Sequence, residues 1–89
     1  MDKSKLTNPL LKAVADELDK QQLAYLLLER DDGVQSIEVP KLDYSFGIIA
    51  GSLAGCPISN DDDIDVFQSH AYGPAGLAEM AVRKVRKRI

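Results

Sequence analysis

The chain has 89 residues, which leaves room for one domain, spanning 1–89, with one small core. Apolar residues make up 45% and charged residues 28%, a composition typical of a folded globular protein and too apolar for intrinsic disorder. Residues 1–82 hold all 14 acidic residues and 6 of the 11 basic ones. Such an acidic body would repel phosphate, so the composition disfavours a nucleic-acid binder and favours a basic partner, a metal or simple solubility.

Cysteine and histidine usage excludes two kinds of site. One cysteine, Cys56, and one histidine, His70, make neither an internal disulfide nor a four-ligand zinc site. The longest weakly polar run, 46–58, is interrupted by glycines and is shorter than the roughly 20 residues that cross a bilayer. With no secretion signal visible at the N-terminus, we expect a cytoplasmic protein.

The first predicted element is a helix. Asn8 is a favourable N-cap, and Pro9 at the first helical position loses no hydrogen bond. The helix should run to about Gln21, because apolar residues recur on one face at helical spacing. These residues are Leu10, Leu11, Val14, Ala15 and Leu18.

Two strands follow, at 23–30 and 34–39. Asp32 and Gly33 between them suit a tight hairpin turn, because both residues tolerate positive φ. Pro40 ends the second strand, since proline cannot donate to a strand ladder.

The segment 44–55 has two interpretations. Residues 44–50 are compatible with a third strand, yet Gly47, Gly51 and Gly55 are spaced four apart, as on a closely packed helix face. Three glycines in a helix cost about 1 kcal/mol each relative to alanine, which favours a strand followed by a loop. Residues 64–68 form a fourth short strand, and Gly73-Pro74 begins a final helix that reaches the C-terminus.

This order of elements predicts an α+β fold. We expect a small sandwich in which an N-terminal and a C-terminal helix pack on one face of a mainly antiparallel sheet of three or four strands. The order is α-β-β-β-β-α.

One motif indicates chemistry. Gly51-Ser52 is followed, eleven residues after the serine, by Asp63-Ile64-Asp65. This spacing resembles the signature of polymerase-beta-like nucleotidyltransferases. The resemblance implies that Gly51 and Ser52 hold nucleotide phosphate and that Asp63 and Asp65 hold catalytic Mg²⁺.

The motif departs from that family in two respects. Only Glu79 follows as a candidate third carboxylate, and the turn 51–55 is shortened and lacks an arginine. Two other interpretations of the segment 60–63 stay open: a solvated loop before a strand, and a non-catalytic loop that binds Ca²⁺ or Mg²⁺.

The remaining candidates have plain interpretations. His70 is a surface or helix-entry residue, and Cys56 is a small apolar group in a loop. A basic cluster in the last helix is favoured by the helix macrodipole, although it would also serve as a nucleic-acid or membrane patch or as a head-to-tail contact. The cluster comprises Arg83, Lys84, Arg86, Lys87 and Arg88.

A second similarity covers about 50 residues. The helix, the hairpin and the late strand that runs through 69–81 into an alanine-rich helix resemble small phage-encoded α-β-α sandwich proteins. The resemblance implies an accessory protein of a virus or mobile element that binds and modulates a host complex.

Three hypotheses for function follow. The first is a non-enzymatic interaction module that binds a larger, basic protein partner through its acidic loops. The second is a minimal or degenerate Mg²⁺-dependent nucleotidyltransferase, and the third is homodimerisation through an edge strand or the glycine-rich segment. The loop residues of the first hypothesis are Asp31, Asp32, Asp61, Asp62 and Asp63.

Overall fold

A computed structural model describes residues 3–68 and 73–88 and shows two helices and a five-stranded sheet. The predicted α+β class is confirmed, and the sheet has five strands where three or four were expected. All strand pairs are antiparallel, in the order β1-β2-β3-β4-β5. The elements are α1 (Pro9–Lys20), β1 (Leu26–Glu29), β2 (Gln35–Val39), β3 (Tyr44–Ile49), β4 (Ser52–Pro57), β5 (Asp65–Phe67) and α2 (Pro74–Arg86).

Helix α1 begins and ends as its sequence dictates. The Asn8 side chain accepts a hydrogen bond from the Leu10 amide at 2.8 Å, and Pro9 occupies the first turn. The helix ends at Lys20, and Gln22 turns the chain out with a left-handed φ of 58°. A hydrogen bond of 2.9 Å from the Leu23 amide to the Leu18 carbonyl closes this exit.

The predicted first hairpin is confirmed, with a different turn. Only Gly33 has positive φ, at 85°, because the loop has three residues between the paired Arg30 and Val34. The Asp32 carboxylate accepts a hydrogen bond from the Val34 amide at 3.1 Å. Aspartate therefore stabilises this turn through its side chain, while glycine alone supplies the left-handed residue.

The predicted loop after β3 is wrong: Ser52–Pro57 forms strand β4. Ala50 and Gly51 have φ of 51° and 79°, which makes a two-residue turn of the type that joins antiparallel strands. Cys56 consequently lies in a strand and is half-buried. Alanine rarely occupies the first left-handed position of such a turn, so the sequence signal was weak.

The two helices lie side by side on one face of the sheet. The Arg86 guanidinium donates to the Gln21 amide oxygen at 2.6 Å, which brings the C-terminal ends of both helices together. At the other end, the buried Gln35 side chain donates to the Lys5 carbonyl at 2.8 Å and accepts from the Thr7 amide at 3.0 Å. The core fills the space between the layers and includes Leu11, Val14, Leu18, Ile37, Val39, Tyr44, Phe46, Leu53, Phe67, Ala78, Ala81, Val82 and Val85.

The antiparallel order gives the sheet two distinct ends. The hairpin end carries the β1–β2 and β3–β4 turns, and the loop end carries the β2–β3 and β4–β5 connections. The Ser59 amide donates to the Asp43 carboxylate at 3.1 Å, which ties the two loop-end connections to each other. Within residues 3–68 and 73–88, no helix is long and apolar enough to cross a bilayer.

Candidate interaction surface

The structure does not bring the four residues of the nucleotidyltransferase-like motif together. Gly51 and Ser52 lie at the hairpin end, whereas Asp63 and Asp65 lie at the loop end. Asp65 lies level with Gly55 of β4, so Ser52 and Asp65 are about 10 Å apart along the strand direction. Ser52 and Asp65 also project from opposite faces of the sheet, because Asp65 is paired with Gly55, three positions after Ser52.

The Asp65 carboxylate is occupied by two side chains of the protein. The Tyr44 hydroxyl donates to it at 2.8 Å, and the Arg88 guanidinium donates two hydrogen bonds at 2.6 and 3.0 Å. Arg88 lowers the pKa of Asp65, with a smaller contribution from Tyr44. Burial and then the Asp65 carboxylate raise the pKa of Tyr44 well above its usual value. This arrangement connects β3, β5 and the end of α2.

The neighbouring Asp63 lies exposed in the turn before β5. Its backbone amide donates to the Asn60 carbonyl at 3.3 Å. Among the residues described, no three His, Cys, Asp or Glu side chains are grouped so that they could hold a metal ion. His70 lies outside the described residues.

The two acidic loops predicted to bind a partner lie at opposite ends of the sheet. Asp31 and Asp32 are exposed at the hairpin end, and 61–63 are exposed at the loop end. Arg30 lies 3.2 Å from Asp32, so part of the hairpin charge is compensated. A flat partner would contact both loops only by crossing the sheet between them.

Three members of the basic cluster have partners within the chain. Arg83 forms an ion pair with Glu79 at 2.5 Å, Arg86 binds Gln21 and Arg88 binds Asp65. Lys84 and Lys87 line a shallow depression on α2 beside Met80. The cluster therefore contributes to holding both helix ends and β5 in place.

The sheet face turned away from the helices, which we call the open face, carries a candidate interaction surface that was not predicted from the sequence. The helices cover the opposite face only, and six large apolar side chains are between 39% and 54% exposed on the open face. An antiparallel sheet with one solvated face usually carries polar side chains there. The six are Leu26, Leu28, Val34, Ile49, Ile64 and Val66.

Small side chains form a recess at the centre of the open face. The strand register aligns one residue from each strand in a row across the open face. The two outer residues of the row are large and the three middle ones are small. From β1 to β5 they are Leu28, Ser36, Gly47, Ala54 and Val66. In the neighbouring row, Ser45 and Cys56 are paired on the middle strands, between Leu26 on β1 and Ile64 beside β5. The recess has a volume of about 170 Å³, and Val34 and Ile49 close it toward the hairpin end.

Negative charge borders this recess. Glu38 is paired with Leu26 on one side and Ser45 on the other, which places it on the open face near the loop end. Partial burial raises the pKa of the Cys56 thiol, and the carboxylates of Asp61, Asp65 and Asp63 add to that shift. The acidic loop 61–63 is therefore close enough to Cys56 to act on the floor of the recess.

A sequence signal for the open face does exist. Leu26, Leu27 and Leu28 are consecutive, as are Ile48 and Ile49, and consecutive residues of a strand project from opposite faces. A strand that covers a core on one side only would alternate apolar and polar residues instead. These runs thus indicate an apolar surface on both faces of the sheet.

Comparisons with known proteins found no match. No protein-family model matches the chain, and neither the curated proteins nor the solved structures include a significant match.

Proposed function

We propose that this protein is a non-enzymatic interaction module that binds a partner protein through the open face of its sheet. The observation that supports the proposal is the group of six large apolar side chains left exposed on one continuous face. Contiguous apolar patches on a folded domain mark interaction sites far more often than isolated exposed residues do.

The free energy gained by burying these side chains also supports a binding role for the open face. Burying the exposed half of a leucine or isoleucine side chain is worth about 1 kcal/mol. Six such residues on one face, with no covering element among residues 3–68 and 73–88, leave a large hydrophobic contribution for a binding partner to use. The helix face supplies the core, so the open face is free for this role.

The acidic loops have a secondary role in this proposal. They lie at the two ends of the open face and would select and orient the partner through charge, while the apolar centre supplies affinity. The nucleotidyltransferase hypothesis stays a prediction, as do the phage-type accessory role and the cytoplasmic location. No contact among the described residues favours the catalytic alternative.

The test is a capture experiment with three variants of the immobilised protein. Leu28→Ser with Val66→Ser removes two exposed side chains of the open face, and Lys12→Ser changes an exposed residue on the outer side of α1. The third variant reverses Asp61, Asp62 and Asp63 to lysine. Proteins from the source cells are identified by quantitative mass spectrometry, and urea unfolding shows that each variant is folded.

We expect a partner that wild type and Lys12→Ser retain equally and that the open-face variant loses at least tenfold. The triple lysine variant should retain it more weakly, with the largest loss at low salt. Equal retention by wild type and the open-face variant would refute the proposal. If only the triple lysine variant lost the partner completely, the acidic loop 61–63 would be the primary interface.

A further inference from the structure

We infer that the open face binds a basic amphipathic α-helix of the partner protein. The inference rests on the proposed function and specifies the kind of element that fits the surface. It follows from the shape of the recess, the charge around it and the area of the face.

The shape of the recess suits a convex element. In the row of Ser36, Gly47 and Ala54, small side chains on three middle strands give a floor about 10 Å wide, because neighbouring strands lie about 4.8 Å apart. An α-helix with its side chains has a diameter of about 10–12 Å. Large side chains of β1 and of the segment that leads into β5 flank this floor, and the volume of about 170 Å³ has room for one or two large apolar side chains. An apolar stripe at i, i+3, i+4 and i+7 would place its side chains in this recess.

The charge around the face favours a basic occupant. Glu38 lies on the face itself, the loop 61–63 borders Cys56, and Asp31 and Asp32 lie at the hairpin end. Two cations compensate part of this charge: Arg30 faces Asp32 at 3.2 Å, and Arg88, which binds Asp65, is close enough to Asp63 to interact with it electrostatically. Lysine or arginine residues flanking the apolar stripe of a helix would meet carboxylates at both ends of the sheet.

A second copy of this chain fits the same face poorly. Two recesses placed face to face would bring Gly47 and Ala54 opposite their own copies and leave a hollow between the sheets. A two-fold axis between the sheets would also gather acidic groups at one end: an axis parallel to the strands puts both copies of 61–63 at the same end, and one perpendicular to the strands puts 61–63 at the same end as the Asp31 and Asp32 of the copy. Both arrangements repel.

The area of the open face also favours a single helix over a second folded domain. Five strands of three to six residues, about 4.8 Å apart, cover roughly 400 Å² in projection. A stable interface between two folded domains buries about 800 Å² on each partner. A single helix of three to four turns needs no more surface than this face offers, and its affinity would lie at the weak end of specific complexes.

The test selects peptides without assuming their chemistry. A random library of 16-residue peptides, long enough for a helix of about 24 Å, is displayed and panned on immobilised wild-type protein. Enriched peptides are then measured against two variants. Gly47→Leu places a large side chain in the recess, since a Cβ added at Gly47 meets no atom within 4 Å, and Lys12→Leu adds the same side chain to an exposed site on α1.

We expect enriched peptides with apolar residues at i, i+3, i+4 and i+7, a net positive charge and helical circular dichroism in the complex. Their affinity should fall at least tenfold for Gly47→Leu, stay unchanged for Lys12→Leu and fall about fivefold between 50 and 500 mM salt.

Each other outcome overturns the inference in a distinguishable way. Peptides with strand alternation or net negative charge that still lose affinity for Gly47→Leu would refute the helix and leave the interaction surface in place. Peptides that bind Gly47→Leu as well as wild type would refute both proposals. Wild-type self-association in analytical ultracentrifugation that Gly47→Leu abolishes would identify a second copy as the occupant.

Discussion

The two faces of the sheet are built from the same strands and differ in almost every physical property. In β3, Phe46 is fully buried under the helices, while the adjacent Gly47 lies on the open face with no atom near the position of an added side chain. The covered face therefore determines stability, and the open face can vary in composition with little effect on folding. A fold of 89 residues separates the two tasks by strand alternation alone.

The largest expected difference between the faces is in core packing. Phe46→Ala should reduce the free energy of unfolding by about 3–5 kcal/mol, because it leaves a cavity beside Tyr44 and Phe67. Val66→Ala on the open face should change it by less than about 1 kcal/mol. Urea denaturation measures both, and Phe46→Leu serves if the alanine variant is unfolded. Equal losses at the two positions would contradict the separation of roles.

Two glycines of one strand pair offer a sharper test. A Cβ at Gly55 would contact the Tyr44 ring and lie 2.7 Å from the Ser45 carbonyl oxygen, whereas a Cβ at Gly47 meets nothing within 4 Å. Gly55→Ala should therefore destabilise the protein by about 1–3 kcal/mol. Gly47→Ala should leave it unchanged or stabilise it by about 0.5 kcal/mol, because alanine is less flexible in the unfolded chain. If thermal unfolding showed Gly47→Ala to be less stable than Gly55→Ala, the assignment of the two faces would be wrong.

A smaller effect is expected at the acidic motif. Asp65→Asn should reduce the free energy of unfolding by about 1 kcal/mol. The neutral amide has one acceptor oxygen in place of two and no negative charge to pair with the partly exposed Arg88. Asp63→Asn, in the exposed turn, should change the free energy of unfolding by less than about 0.5 kcal/mol. Equal effects of the two variants in urea unfolding would argue against a structural role for Asp65.

The smallest expected effect is the pH dependence of the stability difference between wild type and Asp65→Asn. The folded-state pKa of Asp65 is lowered by Arg88, so the carboxylate stabilises the fold fully above its unfolded pKa of about 3.9. That contribution is lost as the pH falls through the lower, folded-state pKa. The gap between wild type and Asp65→Asn in urea unfolding should hence be constant from pH 7 to 5 and narrow below pH 4. A gap that widened in acid would show that the pKa of Asp65 is raised instead.

The sequence predicts the outer parts of the fold better than its centre. Asn8-Pro9 and Gly73-Pro74 carry strong local signals and begin the two helices, and Asp32-Gly33 lies in the turn of the first hairpin. The hairpin at Ala50 and Gly51 was missed, because a left-handed alanine is held by the pairing of six residues on each strand and not by local preference. Tertiary pairing overrode propensity at this turn.

The candidate site was harder to predict for a related reason. The Gly51-Ser52 and Asp63-Asp65 motif attracts attention in the sequence, yet register and strand direction place its halves at opposite ends of β4. The recess is lined by residues of the three middle strands together with Val34 and Ile64, and Ser36, Gly47 and Ala54 lie at its centre. These three small residues are far apart in the sequence, so only the strand register shows that they form one recess.

The Arg88–Asp65 pair also has a mechanical consequence. It anchors the end of α2 at the loop end, so a fusion attached after Arg88 would start from a point near the loop 61–63. A tether attached there would start at the same end of the sheet as the open side of the recess, which raises the effective concentration of its cargo near that side. A tether at the N-terminal segment instead starts near Gln35, at the hairpin end, where Val34 and Ile49 close the recess. The two ends of the chain thus offer unequal access to the same surface.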